Sequence, residues 1–456
     1  MISGLYTALS GMNAHRKILD VTSHNVANQA TPGYHRQRVD LAPSGIGAGA
    51  AIHTGADSQL LGVDIVGTTR VLDAFAEQRA LREQASAADA SATAQTMTRL
   101  ETVFPEPTEF GIAAQLDEFW SSWGDLASRP DNETARTAVL GQAKNLTETL
   151  GRAAADVDRV AEGASARLDA IAGEVNDLTG RIARLNLTVA SSSNGSNDVL
   201  DQRDRLVTRL TELTGATVRP GVGEQVNISL GGRALVTGPL AEEVVGGAGS
   251  LRWARDASPI AATTGEVAAL RRLVGDTLPG YRAELDEIAR SLVEGVNDLH
   301  STGFDLDGGT GWTFFDPAAT TAETIRLSDD VAGQPRRVAA GAPVLPGPVA
   351  PGIFDGGIAE RLASMADSAS GPDQRYRSMV TRIGIETGSA LRRDETQSIV
   401  ARRAIDDVDS VSGVSIDEEM VSLIQAQRGY EANARVLTAI DQLMGVIIER
   451  TGLVGR

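Results

Sequence analysis

The sequence predicts a mainly α protein with small β-rich inserts. Its 456 residues are 42% hydrophobic, enough for roughly two to four domains with cores of their own. The aromatic share is only 4%, while Ala, Leu, Val and Arg are plentiful, a mix that suits long helices packed along apolar seams more than broad sheets. At both ends and in the middle, apolar residues recur at spacings of three and four, the period of a helix face.

In chain order, Leu5, Leu9, Met12, Leu19 and Val26 stand four, three, seven and seven apart, one stripe of a helix. Pro32 disfavours helical geometry at Thr31, and Pro32-Gly33 is a turn dipeptide, so the helix ends between Asn28 and Tyr34 and the chain becomes extended. Helices are predicted over Val71 to Val103, Phe110 to Ala127 and Glu133 to Ala161. Leu168, Ile171, Val175, Leu178, Ile182 and Leu185 mark the next, and further helices follow over Val199 to Leu213, Thr264 to His300 and Gly357 to Val411. Two stretches break the pattern. In Ala216 to Leu240, Val226, Ile228 and Leu230 alternate with polar residues before Gly231-Gly232, which reads as a β-hairpin. Gly303 to Gly356 is rich in Gly, Pro and Asp and reads as irregular or short-stranded surface structure.

Ser415 followed by Glu418 forms a capping box, each side chain placed to satisfy an orphan amide of the first helical turn. The last helix carries a stripe through Met420, Leu423, Gln427, Tyr430, Ala434, Leu437, Asp441, Met444 and Ile448, alternating three and four as a coiled-coil seam does. The domain reading follows: 1–35 and 413–456 as a terminal coiled-coil domain; 36–214, 262–302 and 357–412 as a helical rod; 215–261 as a β-hairpin region; and 303–356 as an irregular insert. A lone terminal helix buries nothing, and each exposed Leu or Ile forgoes roughly 1.5–3 kcal/mol of burial. The two stripes are therefore read as assembly interfaces.

The net charge of −18, with Lys17 and Lys144 the only lysines, argues against a surface for phosphate backbones. The most apolar stretches, such as Val436 to Ile448, are interrupted by Asp441 and do not read as membrane spans. The N-terminus lacks the charged region and continuous apolar core of a cleaved signal peptide. Without cysteine there is no thiolate nucleophile, disulfide or Cys-based zinc site.

Asp305-Leu306-Asp307-Gly308 begins like a calcium loop but fails further on. Gly309 offers no side-chain ligand, Thr310 replaces the required glycine and Asp316 the bidentate glutamate, so the stretch is read as a turn held by side-chain to backbone hydrogen bonds. His15, His24, His35, His53 and His300 form no metal-binding pair and are read as solvent-facing or capping. Gly413 to Asp417 lacks the second glycine of a nucleophile elbow. No catalytic, cofactor-binding or metal-binding residue is assigned, and the protein is not expected to be an enzyme. A peptidoglycan hydrolase would need a compact block with paired acids, which is missing, and a calcium-stabilised adhesin would need the loop that fails.

Ser3-Gly4-Leu5, Asn25-Val26-Ala27-Asn28 and Thr31-Pro32-Gly33-Tyr34 resemble the N-terminal signature of the bacterial flagellar axial proteins, the rod, hook and junction subunits. Asn25, Asn28, Thr31, Pro32, Gly33 and Tyr34 form its turn. Four further segments are similar to the hook-associated, or junction, branch: Gln425 to Val436, Thr451 to Arg456, Leu200-Asp201-Gln202-Arg203-Asp204-Arg205-Leu206, and Asn297 to Phe315. Trp120, Trp123, Pro130 and Arg136 share its character. Gly429, where a larger residue is common, and the short insert after Phe315 depart from it.

The resemblance implies an inner coiled coil of terminal helices, a helical middle layer and outward β-rich pieces. It implies export through the flagellar type III apparatus without a cleaved signal peptide, and an extracellular place at the hook–filament junction. Implied partners are copies of the chain in a ring or short helical array, the hook protein, a second junction protein or flagellin on the distal side, and an export chaperone reading the C-terminal helix. No nucleic acid, membrane insertion or cofactor is implied. A hook or distal-rod subunit is the nearest alternative, disfavoured by the two interior motifs.

Overall fold

The computed structural model describes residues 2–44, 62–191, 197–247, 249–344 and 349–451. His53 and the terminal Gly452 to Arg456 lie outside the described residues. The chain divides into two compact units, the first gathering Met1–Ser86, Val175–Glu243 and Ser398–Arg456, the second Ala87–Glu174 and Val244–Gln397.

In the first unit, α1 (Ile2–Asn28) packs against α10 (Ile416–Thr451). A turn leads from α1 into β1 (Gln37–Pro43), which pairs antiparallel with β2 (Val63–Arg70), Gln37 opposite Arg70. The sequence reading placed 36–70 in a helical rod. The alternation of Val39 with Leu41 and of Val63 with Ile65 is the strand signal, diluted by the Gly- and Ala-rich stretch between them. α5 (Asn197–Thr214) precedes a four-stranded antiparallel sheet ordered β3 (Thr217–Pro220), β4 (Val226–Leu230), β5 (Arg233–Thr237) and β6 (Leu240–Ala241). The β4–β5 turn is the expected Gly231-Gly232, both at positive φ as a two-residue hairpin with the twist of its strands requires. Asn186, near the end of α4 (Glu133–Ser191), is fully buried beneath this sheet. Its amide donates to the Val226 and Gly238 carbonyls at 2.9 and 2.8 Å and accepts from the Val226 N–H at 3.1 Å.

The second unit is a helical bundle. Leu116, Phe119, Trp123 and Leu126 of α3 (Ile112–Ser128), Val139, Leu146 and Leu150 of α4, and Leu285, Ile288, Leu292 and Val296 of α7 (Leu278–His300) share one core. α2 (Ala74–Glu101), α8 (Gly357–Ala363) and α9 (Pro372–Ser412) complete it. Hairpin β7 (Val244–Gly247) and β8 (Ser250–Trp253) belongs to this unit, so the region read as one β piece is divided between the two. Two predicted helices are interrupted. Pro279 cannot donate to the Gly275 carbonyl, and a π-helical turn over Leu273–Thr277 separates α6 (Gly265–Arg272) from α7. The 357–411 stretch breaks after α8 at a 3₁₀ turn, and α9 starts on Pro372, where a proline's missing N–H costs nothing.

The 303–356 stretch is irregular, as predicted, but it is not only surface. Phe314 and Phe315 are completely buried and pack edge-to-face, with Phe119 and Trp123 beside them. Asn297 fixes them, its Oδ1 accepting both phenylalanine N–H groups at 2.9 Å while its amide donates to the Phe315 carbonyl at 2.9 Å. Buried Arg136 donates to the carbonyls of Val338 and Pro130, satisfying backbone acceptors that water cannot reach. The Asp305 turn is held as expected, Oδ1 accepting from the N–H groups of Asp307 and Gly309 at 2.9 and 2.7 Å.

His300 corrects the reading of the histidines as solvent-facing. It is wholly buried against Trp123 and Phe314, with Nε2 accepting the Ala339 N–H and Nδ1–H donating to the Trp312 carbonyl, both at 2.8 Å. Burial in this neutral form pushes its pKa down to about 4. Below pH 6.5 the unfolded chain takes up a proton that the folded core refuses until about pH 4, so this contribution is intact above 6.5 and lost as pH falls. All four tryptophans lie in this unit. Tryptophan-detected urea unfolding is expected to lose about 1–2 kcal/mol between pH 6.5 and 5, above the main carboxylate range, and His300→Gln to flatten that slope.

Candidate assembly interface

The α1–α10 pair is antiparallel and has a register that can be read from close approaches. Gly4 faces Ile440, Gly11 faces Asn433, His15 faces Gly429 and Asn25 contacts Glu419. Each pair of numbers sums to 444. The seam on α1 therefore runs through Gly4, Ala8, Gly11, His15, Ile18, Thr22 and Asn25, spaced alternately four and three, which is the heptad rhythm of a coiled coil. On α10 it runs through Glu419, Ala426, Gly429, Asn433 and Ile440, with Glu419 and Ala426 only 2% and 3% exposed.

The stripes predicted from sequence lie one residue beyond this seam on both helices. Leu5, Leu9, Met12, Leu19 and Val26 each follow a seam residue of α1, and Met420, Gln427, Tyr430 and Ala434 each follow one of α10. One residue is about a 100° rotation, so these side chains flank the intramolecular contact. None of the predicted interface residues is fully buried. Leu9, Met420, Gln427 and Ile448 are exposed, while Leu5, Met12, Leu19, Val26, Leu423, Tyr430, Ala434, Leu437 and Met444 are partly covered. The sequence reading missed the seam because small and polar residues carry no hydrophobic signal. A Gly/Ala rhythm at four and three was the available clue.

Small residues let the helix axes approach, and the large apolar side chains are displaced outward. Tyr6, Val421, Ile424, Val436, Leu443 and Val446 add to the exposed apolar surface of the pair. By the same register α10 runs past the start of α1, since Gln442 stands opposite Ile2, and Ile448 in this extension is 70% exposed.

Asn25 closes the base of the pair. Its amide donates to the Gln37 carbonyl and to Glu419 Oε2, both at 3.0 Å, and its Oδ1 accepts from Tyr34 Oη at 2.8 Å and the Gln37 N–H at 3.0 Å. The side chain is hydrogen-bonded to capacity. Arg36 neutralises the buried Glu419 at 2.7 Å and reaches Glu418 at 2.8 Å. Glu418 thus turns to Arg36 instead of back to the helix N-terminus, a correction to the capping box, while the Ser415 carbonyl accepts the first helical N–H from Glu419 at 3.0 Å. Of the other turn residues, Asn28 Oδ1 accepts from the Thr31 hydroxyl at 3.3 Å, and Arg205 donates to the Pro32 carbonyl at 3.2 Å with its stem over Gly33, which sits at φ 69°.

Two segments far apart in sequence meet here, the 31–37 turn and the 200–206 run. Asp201 Oδ2 accepts the His35 N–H at 3.2 Å and its Oδ1 accepts from Arg70 at 2.8 Å. Burial alone would raise the Asp201 pKa, but the bonds from His35 and Arg70 hold its carboxyl below the usual range. The exit of α1 is thus docked on α5 by charge-assisted hydrogen bonds.

Sequence comparison matches residues 97–315 to the flagellar hook-associated protein FlgK helical domain, residues 5–35 to the flagella basal body rod protein, and residues 409–450 to the flagellar basal body rod FlgEFG protein C-terminal region. Flagellar hook-associated protein 1 of Bacillus subtilis (strain 168) is 26% identical, with 99% of each chain covered, and that of Escherichia coli (strain K12) is 24% identical, with 98% of this chain and all of the relative covered. Over nearly its whole length the chain is similar to flagellar hook-associated proteins. A solved structure, the flagellar hook junction protein FlgK from Burkholderia pseudomallei, shares the fold at a TM-score of 0.65 and 14% identity, covering 74% of this chain and all of that one. The turn that resembles the axial-protein signature and the interior 200–206 run are the segments that Asp201 joins.

Cysteine-free sequence makes the register testable. Gly11→Cys with Asn433→Cys is expected to cross-link on mild oxidation, and Gly11→Cys with Leu437→Cys, one turn away, is not, as mobility on non-reducing gels will show. Gly429→Ala would gain about 1 kcal/mol of helix propensity in open space, but its Cβ would enter the His15 ring. That gain is expected only in a His15→Ala background, and additive effects in a denaturation double-mutant cycle would contradict the close approach.

Proposed function

We propose that this chain is a structural subunit of the bacterial flagellum that joins hook to filament. The observation that carries the reading is the terminal helix pair, closed within the chain by small residues and presenting its large apolar side chains outward, in a chain aligned over nearly its whole length with hook-associated proteins. Heterologous contacts through that face generate a ring or short helical array of copies. The hook protein lies on one side, and a second junction protein or flagellin on the other, with this subunit as the adaptor for flagellin polymerisation. It reaches its place outside the cell by flagellar type III export without a cleaved signal peptide, and its mechanism is mechanical coupling rather than catalysis. An export chaperone reads the exposed C-terminal helix, an amphipathic surface of the kind a groove accepts.

A hook or distal-rod subunit is the second reading, supported by the rod-protein matches at 5–35 and 409–450. The hook-associated helical domain over 97–315 favours the junction. In cells lacking the gene, electron microscopy is expected to show complete hooks without filaments, with monomeric flagellin in the medium. Missing hooks would move the subunit down to the rod or hook, and normal filaments would refute both readings. Deleting Ser415 to Arg456 is expected to abolish chaperone binding.

A further inference from the structure

His35 leaves the signature turn three residues after Pro32 and meets carboxylates on both sides. Nδ1 lies 2.7 Å from Asp201 Oδ1 on α5, and Nε2 lies 3.3 Å from Glu77 Oε1 in the first turn of α2. A deprotonated carboxylate only accepts hydrogen bonds, and a neutral imidazole has one N–H, so it would turn a lone pair toward one of these anions. Only the imidazolium turns a proton toward both. Arg70 at the end of β2 binds Asp201 and Asp204 at 2.8 and 2.7 Å, and Arg203 on α5 binds Asp204 at 3.1 Å. The cluster thus sets three acids, Glu77, Asp201 and Asp204, against His35, Arg70 and Arg203. Loss of the imidazole proton leaves it one charge negative, with two carboxylates losing the cation between them. Asp198, also on α5, adds negative potential near the neighbouring Tyr34.

We infer that His35 is a cationic latch that fastens the exit of α1 to α5 and to the start of α2, and that its deprotonation releases the base of the terminal helices. Burial opposes the charge, but the close carboxylates of Asp201 and Glu77 outweigh both that and the repulsion of Arg70, raising the pKa to about 9. A base whose pKa is raised on folding contributes stability that is complete below its unfolded value of 6.5 and lost as pH rises through about 9. The latch is closed at neutral pH and opens in alkali. Neither end of it is an apolar contact, so release loosens the turn while the Gly/Ala seam of α1 and α10 stays formed.

Imidazole NMR on purified chain carrying ¹⁵N-labelled histidine, with His35 assigned by His35→Gln, provides the first test. His35 is expected to show both ring nitrogens protonated at pH 7.5 and to titrate near 9, its midpoint falling by more than one pH unit in Asp201→Asn. Hydrogen exchange at neutral pH provides the second. In His35→Gln, amides across 31–37 are expected to exchange at least tenfold faster than in the parent, and those across 425–440 to be unchanged. A midpoint near 6.5, or exchange across 31–37 unaltered by His35→Gln, would overturn the latch. Exchange faster throughout the first unit would show His35 to be a general stabilising residue and overturn it equally. Both readouts use the isolated chain, so they are independent of the junction role.

Discussion

The arrangement of the first unit depends on the close approach of α1 and α10 through glycine and alanine. Where Gly11 meets Asn433 and Gly429 meets His15 there is too little room for a β-carbon, and so none for leucine or methionine. The large apolar side chains of an otherwise ordinary coiled-coil pattern are therefore rotated to the flanks, where the monomer cannot cover them. A pair sealed by leucines would bury its apolar surface internally and present a polar exterior. This one does the reverse.

A small-residue seam gains little from the hydrophobic effect, because glycine and alanine remove little apolar area from water. Its register needs another source of specificity, and the polar groups at its base supply it. Asn25 has no spare donor or acceptor, and Glu419, 2% exposed, is acceptable inside the protein only beside Arg36 and the Asn25 amide. A slip of the helices by one turn would strand that carboxylate without a partner, a larger penalty than the loss of any one apolar contact in the seam. The turn after α1 is bound in the same currency, by charge-assisted bonds to Asp201 instead of by burial.

The second unit is built on the opposite principle. Its core is continuous and aromatic at the centre, and Asn297 and His300 within it have their polar atoms hydrogen-bonded to backbone groups. Large apolar side chains are exposed here too, Phe110 at 78% and Phe354 at 74%, but they lie outside that core. In the first unit, by contrast, the exposed apolar side chains lie along a helix pair that meets through small and polar residues.

The sequence by itself located the helical stretches, though not the breaks at Leu273–Thr277 and after α8, because a helix face repeats every three or four residues wherever it lies, and the Gly231-Gly232 hairpin turn, because only glycine takes positive φ freely at both positions. It also gave the stripes of Leu5 to Val26 and Met420 to Ile448 and their incomplete burial. The tertiary structure decided which side of each stripe faces the other helix. That choice rests on Gly4, Gly11, Ala426 and Gly429, whose contribution is the absence of a side chain and so leaves no trace in a hydrophobic pattern. It decided that Glu418 turns to Arg36, that His300 lies in the core, and that the 31–37 turn meets Asp201, since partners more than a hundred residues apart are brought together only by the path of the folded chain. Residue chemistry was legible at each of these positions, whereas partner identity is a property of proximity.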